Sequence, residues 1–150
     1  MKYFQTTITV PPELSSMSKI RKLVEERCVK FGYPDHLTYL IVTAVDETCA
    51  NVIKYAYKKI DGSKYAVKNI KKSLVQLILR ADSSKFEIDV LDTGFQFNPV
   101  TKSTGKIDLK EAARKKGGMG IHFLKNILDM MDYEYSEDKK NVLRMTKYFQ

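Results

Sequence analysis

Glu47 and Asn51 stand four residues apart in a stretch with helical periodicity. At 100° per residue they share one face, about 40° apart. Both fall at the rim of the apolar stripe, whereas Asp46 projects roughly to the solvent side. A carboxylate and a carboxamide placed there can point together into a cleft. The amide oxygen suits Mg²⁺, and the carboxylate can orient or deprotonate a hydroxyl. The same pair also reads as a surface Glu and an Asn bonded to nearby backbone.

Asp92-Thr93-Gly94 directly follows an alternating segment and continues into Phe97-Asn98-Pro99. A carboxylate at a strand end, followed by a glycine that admits close approach, can read a planar base. It accepts from an exocyclic amino group such as adenine's and repels the carbonyl oxygen of guanine. Alone, the tripeptide is equally an ordinary turn. A third constellation is Gly117-Gly118-Met119-Gly120 ahead of a helical segment. Backbone N–H groups and the helix dipole there form an anion site, with Arg114, Lys115 and Lys116 in reach of outer phosphates. The spacing is neither a Walker A loop nor a Rossmann fingerprint. Its plain alternative is a flexible hinge.

These residues need positioning elements. The spacing predicts a strand over 3–10, closed by Pro11-Pro12. A helix over 13–31 has Met17, Ile20, Val24, Cys28 and Phe31 on its buried side, with Gly32 as the stop and Asp35 as the next N-cap. A second helix over 36–57 buries a broad face that includes Ile41, Val45, Cys49 and Ile53. Strands over 73–80 and 85–92 form a hairpin across Ala81-Asp82-Ser83-Ser84. An irregular stretch up to Gly118 is long enough to be functional. A helix over 119–131 and a hairpin of strands over 133–136 and 142–149 complete the chain. The order implies an α+β sandwich, with helices on one face of a mostly antiparallel sheet.

At 150 residues, with 43% hydrophobic and 29% charged residues, a single domain over 1–150 is expected. No apolar run reaches the roughly 18–20 residues of a membrane span. Cys28 and Cys49 read as core residues in a reducing cytoplasm. No Cys or His spacing suggests zinc. The net charge of +8 invites a polyanion partner, but the lysines from Lys54 to Lys72 lack arginines and stacking aromatics. They read as a solvated helix end and loop, and direct nucleic-acid binding is not expected.

In order and placement the three constellations resemble the N, G1 and G2 boxes of the GHKL (Bergerat-fold) ATPase superfamily. They are most similar to the anti-sigma-factor serine kinases of the RsbW and SpoIIAB type. Val45 through Tyr57 resembles the N box, Asp92-Thr93-Gly94 with Phe97-Asn98-Pro99 the G1 box, and Gly117 through Asp132 the G2 segment. Asn141 through Lys147 resembles the closing strand. Where the family often has His, this chain has Tyr55; Gln96 replaces a Gly or Pro, and Lys140 a common Gly.

The resemblance implies a Bergerat-type two-layer sandwich with a mobile lid over about 95–116. It implies Glu47 as catalytic base, Asn51 as Mg²⁺ ligand, and Asp92 with Gly94 at the adenine. Gly117, Gly118, Met119 and Gly120, with Arg114 and Lys116, fall at the phosphates, and Thr146 in the nucleotide site. The implied activity is Mg-ATP-dependent phosphorylation of a serine on a STAS-type anti-anti-sigma protein by an anti-sigma-type regulator. A sigma factor is a further implied partner, and the protein is implied to be a homodimer. The alternative is an ATP-binding interaction module without kinase turnover.

Overall fold

A computed structural model describes residues 3–55, 74–94 and 124–149. β1 (Phe4–Val10) is followed by a 3-10 turn at Leu14–Ser16, then α1 (Met17–Phe31) and α2 (Asp35–Tyr55). β2 (Val75–Ala81), β3 (Lys85–Asp92), β4 (Met130–Tyr135) and β5 (Asn141–Tyr148) complete the described elements. The five strands form one antiparallel sheet in the order β1-β2-β3-β5-β4. This is the expected α+β sandwich.

Alternation along the strands makes the sheet two-sided. Leu77, Leu79, Phe86, Ile88, Val90, Leu143 and Met145 point to one face and are buried. The two helices pack on it at spacings of three and four. Ile20, Val24 and Cys28 come from α1, and Ile41, Val45, Cys49 and Ile53 from α2.

Local chemistry sets the joints. Asp82 Oδ1 accepts from the Ser84 N–H at 2.7 Å and the Lys85 N–H at 3.0 Å, closing the β2–β3 hairpin. Gly32 ends α1 at φ 94°, its N–H donating to the carbonyls of Cys28 and Val29.

Most strand ends differ from expectation by one or two residues, and three differences have a visible local cause. The first helix begins with a 3-10 turn rather than at residue 13. Asp35 is the first helical residue of α2, not its cap; the Pro34 carbonyl takes the first bonds, from the N–H groups of Leu37 and Thr38. The last helix does not reach 131. Residues 124–127 are helical, and Met130 and Met131 already belong to β4. The reason is capture by β5: the Asp129 N–H donates to the Thr146 carbonyl at 3.0 Å. Leu128 and Met131 still pack on the core, so the apolar spacing was satisfied by a helix end followed by a strand.

Candidate functional site

β3 alternates so that Asp92 shares the helix-facing side with Phe86, Ile88 and Val90. It is therefore a carboxylate at the end of an apolar row, only 5% exposed. Its register partners are Val75 on β2 and Asn141 on β5. Asp92 Oδ1 accepts from the Gly94 N–H at 2.9 Å and from Asn141 Nδ2 at 2.9 Å. Asn141 Nδ2 also reaches the Gly94 carbonyl at 3.3 Å, and the Tyr133 hydroxyl donates to Asn141 Oδ1. Burial pushes the Asp92 carboxyl up to about 6, against the lowering effect of the Asn141 and Gly94 donors. A desolvated carboxyl held by neutral donors is poised to bond a polar ligand group.

α2 is aimed at this end of the sheet. Its first turns, with Leu37 and Leu40, border the hairpin residues Asp82 and Ser83 and the β5 terminus at Lys147 and Tyr148 around one cleft. Farther along, the Thr48 hydroxyl donates to Met145 Sδ at 3.2 Å. The helix thus advances toward the exit of β3 and the entry of β5, where Asp92 and Asn141 lie. Its C-terminal half carries Glu47 and Asn51, both half-buried and one turn apart. The adjacent Asp46 is bound elsewhere: its Oδ1 accepts from Arg21 Nη2 at 2.6 Å and Nε at 3.1 Å, tying α2 to α1. Only one of the two neighbouring carboxylates is therefore engaged with α1.

The structure brings Asp92, Gly94 and Asn141 together at the exit of β3, and places Glu47 and Asn51 one turn apart on α2 as it runs toward that end. Thr146 is not brought beside Asp92. It lies five residues beyond Asn141 on β5, about 17 Å along the strand, in register with Glu87 and Met130. Its odd offset puts it on the opposite face from Asn141. Asn141 is the closing-strand residue that meets Asp92, and the motif reading did not assign it a site role. Its signal was a polar residue heading the apolar alternation Asn141, Leu143, Met145. Arg114, Lys116, Gly117, Gly118, Met119, Gly120, the lid over 95–116 and the lysines over 58–72 lie outside the described residues.

A two-layer sandwich whose second helix carries Glu-x-x-x-Asn toward a buried Asp-x-Gly strand end has the layout of a GHKL-type ATPase domain. The chain belongs to the histidine kinase-like ATPase domain family, whose model matches residues 10–147. It is 27% identical over 143 residues to the serine-protein kinase RsbW of Halalkalibacterium halodurans, covering 95% of this chain and 82% of that protein. It is 25% identical over 111 residues to RsbW of Bacillus thuringiensis strain Al Hakam, covering 71% of this chain. The match spans 61% of the length of that Bacillus relative. Among solved structures, the SiaB-SiaC complex from Pseudomonas aeruginosa contains a similar fold, with a TM-score of 0.64 at 9% identity. That match covers 96% of this chain and 89% of the other. Membership of this ATPase family implies ATP binding. Among the described residues, no helix is long and apolar enough to cross a membrane.

Proposed function

We propose that this protein is a Mg-ATP-dependent protein-serine kinase that acts as an anti-sigma-type regulator in a partner-switching pathway. The observation that carries the reading is Asp92: a buried carboxylate at a strand end, held by Asn141 and Gly94, toward which α2 runs with Glu47 and Asn51 one turn apart. The names of the RsbW relatives support serine as acceptor.

Asp92 accepts from the adenine amino group, and Gly94 leaves room for the base. Asn51, with a neutral amide oxygen at a half-buried position, fits a hard cation and would hold Mg²⁺. When bound, that ion supplies neutralisation of phosphate charge. Glu47 takes the proton from a serine hydroxyl as its oxygen bonds to the γ-phosphorus. The bond from that phosphorus to the bridging oxygen breaks, and ADP leaves. Arg114, Lys116 and the glycines Gly117, Gly118 and Gly120, with Met119, form the phosphate loop in this reading. The acceptor is a serine on a STAS-type protein, and a sigma factor is the partner held and released. The protein works as a cytoplasmic homodimer.

The test is transfer of labelled phosphate from Mg-ATP to a STAS-type protein, with calorimetric titration of Mg-ATP alongside. Glu47→Ala is expected to lower transfer by about 10²–10⁴-fold while nucleotide affinity persists. Asp92→Asn is expected to abolish Mg-ATP binding. Wild-type protein that binds Mg-ATP without transferring phosphate would instead be an ATP-ordered interaction module.

A further inference from the structure

The carboxylate of Asp92 does not stand alone; it is the last member of a chain of side chains crossing three strands. Tyr133 on β4 donates its hydroxyl to Asn141 Oδ1, and Asn141 on β5 donates Nδ2 to Asp92 Oδ1 at 2.9 Å. Asn141 is 5% exposed. The direction of this chain is fixed by charge. An ionised carboxylate demands a donor, so the amide must present Nδ2 to Asp92 and leave Oδ1 facing Tyr133. The tyrosine hydroxyl then has one productive role, to donate. Removing the hydroxyl takes that donor away from the amide oxygen and weakens the support for this orientation.

We propose that Tyr133 and Asn141 are positioning residues that hold Asp92 as an ionised, correctly turned acceptor and thereby set the purine preference of the site. The proposal rests on the nucleotide reading above. An ionised carboxylate accepts from a 6-amino purine. A protonated one can donate to the carbonyl of a 6-oxo purine instead. The protonation state of one buried group therefore decides which purine is bonded, and Asn141 is the side-chain donor that favours the charged form.

Other groups around Asp92 do not take over this role. β2 presents Val75, β5 presents Asn141, and β4 stands behind with Tyr133. α2 brings Glu47, Asn51 and, in its last turn, Lys54 toward this end. Among the described residues, no ionised side chain acts on the Asp92 carboxyl; burial, Asn141 and the Gly94 N–H do.

The test uses Asn141→Leu, of the same branched shape, and Tyr133→Phe, which removes a single hydroxyl. The Asp92 carboxyl is titrated by carbon NMR without nucleotide. Mg-ATP and Mg-GTP affinities are measured calorimetrically from acid to mildly alkaline pH. In Asn141→Leu the Asp92 midpoint is expected to rise from about 6 by about one pH unit or more, cutting Mg-ATP affinity about twofold at neutral pH and nearly tenfold near pH 5. Alkaline pH should restore that affinity, and the ATP-over-GTP preference should narrow. Tyr133→Phe should move the midpoint in the same direction by less, which keeps the test available if Asn141→Leu fails to fold. An unmoved midpoint in the folded variants overturns the proposal. If the midpoint moves but the wild type binds no nucleotide, the positioning role stands and the nucleotide reading falls. If the wild type binds Mg-ATP and the midpoint stays put, the nucleotide reading stands and the positioning role falls.

Discussion

Arg144 grips Asp89 with two hydrogen bonds, from Nε at 2.7 Å and Nη2 at 2.9 Å, on the sheet face that lies away from α1 and α2. Arg80 Nη1 adds a third at 3.0 Å from β2. The Asp89 side chain is only 5% exposed although no described helix covers it. Two guanidinium groups roof it over. The expected antiparallel pairing has thus placed one acid of β3 between arginines of both neighbouring strands.

That arrangement has a pH signature. Burial pushes the Asp89 carboxyl up, but hydrogen bonds from Arg144 and Arg80 prevail and hold it below its ordinary value. A depressed folded pKa gives stability that is present above the unfolded value, about 3.9, and lost as pH falls through the lower folded value. Asp89→Asn is expected to cost about 1–3 kcal/mol at neutral pH. Urea unfolding at neutral and strongly acid pH should show the gap between wild type and variant closing in acid. Arg144→Ala should cost less, because Arg80 still bonds Asp89 and Arg144 is half exposed.

Asp92 has the opposite sign. Its folded carboxyl sits at about 6, above the unfolded value. The native state therefore binds the extra proton, and stability rises as pH falls from about 7 toward 4. Asp92→Asn is expected to flatten that part of the thermal-stability profile. It should be neutral or stabilising by about 1–3 kcal/mol at neutral pH, even as Mg-ATP binding disappears. A variant that keeps the wild-type slope would place its origin elsewhere.

Gly32 is required by backbone geometry rather than by crowding. At φ 94° an added Cβ would meet nothing within 4 Å. Gly32→Ala should cost about 1–2 kcal/mol, the penalty of a side chain in the left-handed region. Gly32→Asn should cost less, because asparagine tolerates that region. Equal losses in chemical denaturation would place the cost in packing.

The two cysteines should be inert in the native protein. Burial, aided by Glu25, pushes the Cys28 thiol up to about 12. Burial, aided by Asp46, also pushes Cys49 upward. Thiolate is the reactive form. Alkylation at mildly alkaline pH should label neither residue until urea is added, and then both. Native labelling of either would show that its helix opens locally.

Much of the fold was legible because periodicity is local. α1 and α2 repeat apolar residues at three and four, and β2 and β3 alternate around an Asp-Ser-Ser turn that closes itself. The third helical region is shorter than its apolar spacing suggests, for a physical reason. Leu124, Leu128 and Met131 satisfy a helical spacing, yet Leu128 and Met131 reach the same core from a helix end and a strand. Long-range pairing with β5 chose between the two, and no local window contains it.

The sequence by itself determined the types and order of the chemical groups. It set a Glu and an Asn one turn apart, and an Asp-x-Gly at the end of a strand, because helix pitch and strand alternation follow from neighbours along the chain. The tertiary structure decided which groups meet. Asn141, not Thr146, stands opposite Asp92, because antiparallel register pairs residues 49 apart and an odd offset of five reverses the face. Burial of Asp92, and with it the raised pKa, is likewise a property of the packed sheet, since desolvation exists only once the strands have paired and the core has closed.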